Sequence, residues 1–137
     1  MYTFHMKEKY SKDFNKWNQK KQEIDVYDHG RQCHEGQIWV MSFGVNIGHE
    51  IDGKDHGFVR PVLVVKRINK DTFIGVPLTK TRKDSQWYVP CVVDNKEGSV
   101  NISQVRLFDQ KRLLRFIQNV DNNVFIATKE RLRGLFT

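Results

Sequence analysis

The stretch "VRPVLVVKRINKDTFIGVPLT", Val59 to Thr79, decides the fold class. Two β-prone runs flank the turn formers Asn69, Lys70 and Asp71, the pattern of an antiparallel strand pair. Val62 to Val65 are apolar without alternation, as expected of a strand buried on both faces. Pro61 has no amide hydrogen, belongs at a strand's first position, and restricts Arg60 before it to extended geometry. A permanently charged side chain is thereby held rigidly at a strand mouth. A guanidinium there can make paired hydrogen bonds to a phosphate. The ordinary alternative is a surface arginine tied to a carboxylate such as Glu50, and the strand pattern alone favours that alternative.

Outward from this pair, "QIWVMSF", "WYVPCVV", "SVNISQVRLF" and "RLLRFIQNV" continue the β texture, with a further turn at "DNKEG", residues 94 to 98. Six short strands in about a hundred residues imply a small barrel or a strongly curled antiparallel sheet. Before them, "DFNKWNQKKQEIDV" places Phe14, Trp17 and Ile24 on one side of a helix, with Lys21 filling the gap in the stripe. At the other end Asp121 can cap a helix whose flank carries Val124, Ala127, Leu132 and Leu135. The expected organisation is a helical extension and linker over 1–35 and a mainly β domain over 36–137.

The chain has 137 residues, enough to bury a core without metal or disulfide staples. Its net charge of +7 favours a polyanionic partner. Residues 1–35 carry only +1 of that charge and 36–137 the remaining +6. Two cysteines are too few for a disulfide framework, which suits a reducing, cytoplasmic compartment. No apolar run approaches the ~20 residues of a membrane span, and "MYTFHMKEKYSK" does not read as a secretory signal.

The glycine-rich loop "GVNIGHEIDGKDHGFV", residues 44 to 59, is the place to look for function. His49 within it is a candidate acid or base, set against an ordinary solvated loop histidine. Thr79, ending the second strand of the opening stretch, could stand beside Arg60. Asp52 and Asp55 form a loop carboxylate pair with nothing of a two-metal nuclease around them. His29, Cys33 and His34 lack a second ligand pair at zinc-site spacing. There is no P-loop, dinucleotide fingerprint or nucleophile elbow. Basic residues gather at Lys80, Arg82 and Lys83 and again along Arg106, Lys111, Arg112 and Arg115, near Trp87 and Tyr88. Basic charge with flat apolar faces is how single-stranded nucleic acid is gripped.

Read in order, "GQIWVMSFG", "NIGHE", "RPVLVV", "VPLT", "SQVRLFD" and "KRL" resemble the MazF/PemK toxins of type II toxin-antitoxin systems, from Gly36 to the C-terminus. The N-terminal "DFNKWNQKKQEI" is similar to the helical extension of one branch of that family. The resemblance implies an SH3-like barrel with appended helices, a homodimer, a cognate acidic antitoxin, and metal-independent, sequence-selective cleavage of single-stranded RNA without a cofactor. It implies that Arg60 stabilises charge on the phosphate, that Thr79 positions the phosphate or the attacking hydroxyl, and that His49 acts as acid or base. Glu50, Lys80, Arg82, Lys83, Asn101, Ser103, Gln104 and Arg106 are then RNA-binding or site-supporting residues. Ser103 departs from branches that carry an acidic residue there, and Asn101 from those with an arginine. A serine cannot serve as a carboxylate base near neutral pH. Two other functional classes fit the same sequence: a CcdB-like toxin that poisons gyrase by binding, and a non-catalytic RNA-binding module.

Overall fold

A computed structural model describes residues 12–137. The first eleven residues of the expected 1–35 extension lie outside the described residues. Helix α1 (Phe14–Val26) is followed by strands β1 (Gln37–Ser42), β2 (Val59–Arg67), β3 (Thr72–Thr79), β4 (Tyr88–Val93), β5 (Lys96–Asn101), β6 (Arg106–Asp109) and β7 (Leu113–Asn119), and by helix α2 (Asn122–Gly134). All pairings are antiparallel, in the order β4-β5-β3-β2-β1-β7, with β6 added on β3. The mainly β expectation with a helix at each end holds.

Strand β2 lies between β1 and β3, and Val62, Leu63 and Val64 are completely buried. Val62 and Val64 face one core, built with Met41, Phe43, Phe73, Phe108, Leu113 and Cys33. Leu63 faces a second core with Ile38, Val76, Leu78, Val89, Val100 and Ile102, which α2 covers through Val124, Phe125, Ala127 and Leu132. Neighbouring strand residues point to opposite faces, so a run without alternation is what two cores require. Asp121 caps α2 by accepting from the amides of Asn123 and Val124 at 2.9 and 3.3 Å.

Three expectations are corrected. The stretch "SVNISQVRLF" is not one strand but two, β5 and β6, separated by a 3-10 turn at Ile102–Gln104. The first half of β3, Thr72–Gly75, pairs with β6, whereas Leu78 and Thr79 pair with β5. The change of partner falls at Val76–Pro77, where proline offers no amide to a ladder. The turn expected over 94–98 narrows to Asp94 and Asn95, both with positive φ (53° and 61°), leaving Lys96 paired with Val93. That is the backbone of a two-residue type I′ hairpin turn. Pro61 also stands third in β2, after Val59 and Arg60, not first.

Trp17 of α1 is buried against Phe58 at a ring separation of 5.6 Å and is the most deeply buried residue of the expected stripe, with Ile24 half-buried and Phe14 37% exposed. The segment after α1 is tied to the sheet: Cys33 enters the first core and Gln32 accepts from the Arg67 guanidinium at 2.8 Å. No helix among the described residues is long and apolar enough to cross a membrane.

Burial pushes the Cys33 thiol up, and the Cys91 thiol from its ordinary 9.0 to about 11. At pH 7 a thiol of that pKa is thiolate on the order of 1 part in 10⁴. Both cysteines are expected to resist an exposed-thiol reagent in the folded protein and to react on unfolding. Between pH 9 and 11 the folded state holds the Cys91 proton more tightly than the unfolded chain, so its contribution is complete below pH 9 and lost as pH rises through 11. Denaturant unfolding across that range checks the sign.

Candidate active site

Arg60 sits opposite Met41 in the β1–β2 ladder and is only 7% exposed. Its Nε donates to the Asp52 carbonyl at 2.6 Å and its Nη1 to the Leu78 carbonyl at 2.9 Å. The carboxylate partner expected at Glu50 is therefore replaced by two backbone oxygens, one from the glycine-rich loop and one from the end of β3. Burial lowers the Arg60 pKa from its ordinary value and the Asp52 charge opposes that shift. Guanidinium basicity keeps the group charged at any physiological pH. Among the described residues, no hydrogen bond reaches Nη2, leaving that edge of the fork for a ligand.

Arg60 lines a cleft of about 330 Å³ with Thr79 and Lys80, and the rim adds Lys54, Lys96 and Arg115. Asp55, Asp94 and Glu97 also line it, so the basic groups are interspersed with acidic ones. Thr79 owes its position to Gly98 on β5. A Cβ on Gly98 would stand 2.5 Å from the Thr79 carbonyl oxygen, so only glycine lets β5 close on the end of β3.

A second depression, of about 290 Å³, is formed by Asn46, Glu50, Ser103, Gln104 and Arg106 over Phe43, Ile51 and Val105. The Gln104 side-chain oxygen accepts from the Ile51 amide at 3.3 Å, and Ser103 donates to Asn101 at 3.3 Å. Burial lowers the Arg106 pKa and the Glu50 carboxylate opposes it; the guanidinium lies 4.7 Å from the Phe108 ring centre. The loop between the two depressions is laced internally. Phe43 and Gly44 donate to the Phe58 carbonyl at 2.8 and 3.0 Å, and Gly53 to the Gly44 carbonyl at 2.6 Å. Arg112 fixes the loop's entry by donating to the Ser42 and Phe43 carbonyls, both at 3.1 Å. Burial, reinforced by the Arg106 charge, pulls its pKa down to about 10.

The structure thus gathers Arg60, Thr79 and Lys80 in one cleft and Glu50, Ser103, Gln104 and Arg106 in the other. His49 is exposed on the loop and lines neither. Arg82 pairs with Glu97 at 3.7 Å and Lys83 lies over the Tyr88 ring at 4.9 Å, both beside the Thr79 strand end. Lys54 and Lys96 escaped the sequence reading, because each is an isolated lysine: Lys54 reaches the cleft through the loop's bridge to Val59 and Lys96 through the curl of the sheet. The role of the Asp52 carbonyl left no sequence signal, since every residue has one. No group of three or more potential metal ligands occurs among the described residues.

A family model described as PemK-like, MazF-like toxin of type II toxin-antitoxin system matches residues 34–136. Comparison with curated proteins gave no match. Among solved structures, crystalline MazF (Form-I) from Deinococcus radiodurans is similar with a TM-score of 0.65 at 19% identity, over 77% of this chain and 97% of that one. An endoribonuclease in complex with its cognate antitoxin from a Mycobacterial species is similar at 0.57 and 16%, covering 76% and 94%. A MazE-MazF complex (Form-I) from Deinococcus radiodurans gives 0.57 and 18%, covering 77% and 97%. At these identities the likeness is one of fold, and it agrees with the curled sheet and two helices.

Replacing Gly98 by alanine is expected to force β5 off the Thr79 carbonyl and to cost ~1–3 kcal/mol of stability. Urea unfolding measures this cost; an unchanged midpoint would show that the strand end yields freely.

Proposed function

The chain belongs to the PemK-like, MazF-like toxins of type II toxin-antitoxin systems, and on that basis we propose that it is a metal-independent, sequence-selective endoribonuclease acting on single-stranded RNA in the cytoplasm. The observation that carries this reading is Arg60, buried, held by two carbonyls, and facing a cleft it shares with Thr79 and Lys80. A guanidinium fixed before the reaction begins loses little in reorganising as charge builds on a phosphate, which is the condition for electrostatic catalysis.

In this reading the ribose 2′-oxygen attacks the adjacent phosphorus and the 5′-oxygen of the next nucleotide leaves. The products are a 2′,3′-cyclic phosphate and a 5′-hydroxyl, with no water consumed and no bond to the protein. The free edge of Arg60 takes the non-bridging oxygens, and the Thr79 hydroxyl orients the phosphate or the 2′-hydroxyl. One proton leaves the 2′-hydroxyl and one reaches the 5′-oxygen. Ser103 has no carboxylate to move either, so His49 is assigned that work, which requires the bound strand to pass across its loop. Lys54, Lys80, Lys96 and Arg115 attract the backbone on either side. The same basic character suits an acidic, disordered antitoxin segment that folds on binding and covers the cleft. A homodimer is part of the proposal.

Purified protein is expected to cut single-stranded RNA in excess EDTA and to leave cyclic phosphate ends. Arg60→Ala should lower the rate by ~10²–10³-fold while circular dichroism stays that of the parent. Continued cutting by a folded Arg60→Ala protein would remove Arg60 from the mechanism. Growth arrest without RNA products, abolished by trimming "RGLFT", would replace cleavage by gyrase poisoning. Salt-dependent RNA affinity without products would leave a binding module.

His49→Ala is expected to cost ~10²–10⁴-fold in rate under the same conditions. An undiminished rate would place the whole effect on Arg60 and Thr79.

A further inference from the structure

We propose that Lys12 is a positioning residue for the cleavage site: its ammonium locks the 44–58 loop in the conformation that holds Arg60. The proposal rests on reading Arg60 as the phosphate-binding group. It assigns the N-terminal segment a part in catalysis and not in packing alone.

The Lys12 Nζ donates to the Asn46 carbonyl at 2.6 Å and to the Gly48 carbonyl at 3.0 Å, and pairs with the Asp52 carboxylate at 3.0 Å. An ammonium has three hydrogens to give, and all three are spent on one loop. Asp52 is the node of that loop. One of its carboxylate oxygens takes Lys12, the other accepts from the Asn46 amide at 2.6 Å, and its carbonyl accepts from Arg60 Nε at 2.6 Å. One residue therefore separates the ammonium from the guanidinium.

The lysine is itself anchored. Asp13 caps α1 by accepting from the Lys16 amide at 2.9 Å, and Trp17 one turn on is buried against Phe58. Gly44 opens the loop at φ +97°, and a Cβ there would stand 2.5 Å from the indole, so loop and helix meet as closely as backbone allows. At the far end of α1 the Lys111 ammonium holds the Asp25 carbonyl at 2.8 Å. Lys12 thus projects from a fixed helix start, which reduces the entropy lost in holding its long side chain. The loop it grips supplies Asn46, Glu50 and Ile51 to the second depression, so both clefts share its conformation.

The test compares full-length Lys12→Met, Lys12→Arg and Lys16→Met proteins by amide hydrogen exchange and by steady-state RNA cleavage. Lys16 lies on the same helix start and forms no side-chain bond to the loop. Lys12→Met is expected to speed exchange at the Ile51 and Gly53 amides by ~10-fold or more while Val62–Val64 stay protected. It should lower kcat by ~10–100-fold through misplacement of Arg60, with KM nearly constant. Lys12→Arg should recover part of both effects, and Lys16→Met should show neither. Unchanged exchange after Lys12→Met, a loosened loop with undiminished kcat, or equal effects from Lys16→Met would each overturn the proposal. If the parent protein cuts no RNA, the cleavage reading fails separately, and the exchange experiment alone decides whether Lys12 holds the loop.

Discussion

Strand β2 has no solvent face through its middle, and the rest of the molecule follows from that constraint. Val62 and Val64 need apolar cover on one side and Leu63 on the other, each worth ~1.5–3 kcal/mol when fully buried. A single curled sheet satisfies both sides by folding its own strands around them, with a helix added over the second. Met41, Phe43, Phe73 and Phe108 fill the first side, and α2 closes the second with Val124, Phe125 and Leu132. Gly75 shows how closely this is packed: a Cβ there would come within 2.6 Å of Val62.

Where that burial ends, the chain changes from Val62 to Pro61 and Arg60, and the site begins. A buried guanidinium is costly to desolvate unless its hydrogens find fixed acceptors. The end of β3 and the loop before β2 provide them, as the Leu78 and Asp52 carbonyls. The same sheet that buries the valines therefore also holds the charge rigid, through Nε and Nη1. The loop supplying the second acceptor is held from outside by Lys12 and Trp17, which makes the N-terminal segment part of the site's foundation.

Legibility in the sequence was uneven, for physical reasons. Elements governed by local preference were readable: the β texture from Gln37 on, the Asp121 cap, and the two-sided burial of Val62–Val64. The division of "SVNISQVRLF" was not, because it depends on β3 changing partners at Val76–Pro77, a relation between segments far apart in the chain. At the site, Arg60, Thr79 and Lys80 were named and do share a cleft, while the proposed Glu50 partnership failed because backbone carbonyls arrived first. His49 stands apart from the cleft in this conformation.

By itself the sequence determined the mainly β class, the helix at each end, and a rigid arginine before a proline, since each depends on nearest neighbours and period. Only the tertiary structure decided which groups meet that arginine. The Leu78 carbonyl and Lys96 come to it across the sheet, the Asp52 carbonyl and Lys54 through the fold of the loop just before it, and Lys12 grips that loop from 34 to 36 residues away in the chain. Backbone acceptors carry no residue-type signature, and solitary lysines carry no pattern, so the fold of the loop and the curl of the sheet decide which of them reach Arg60.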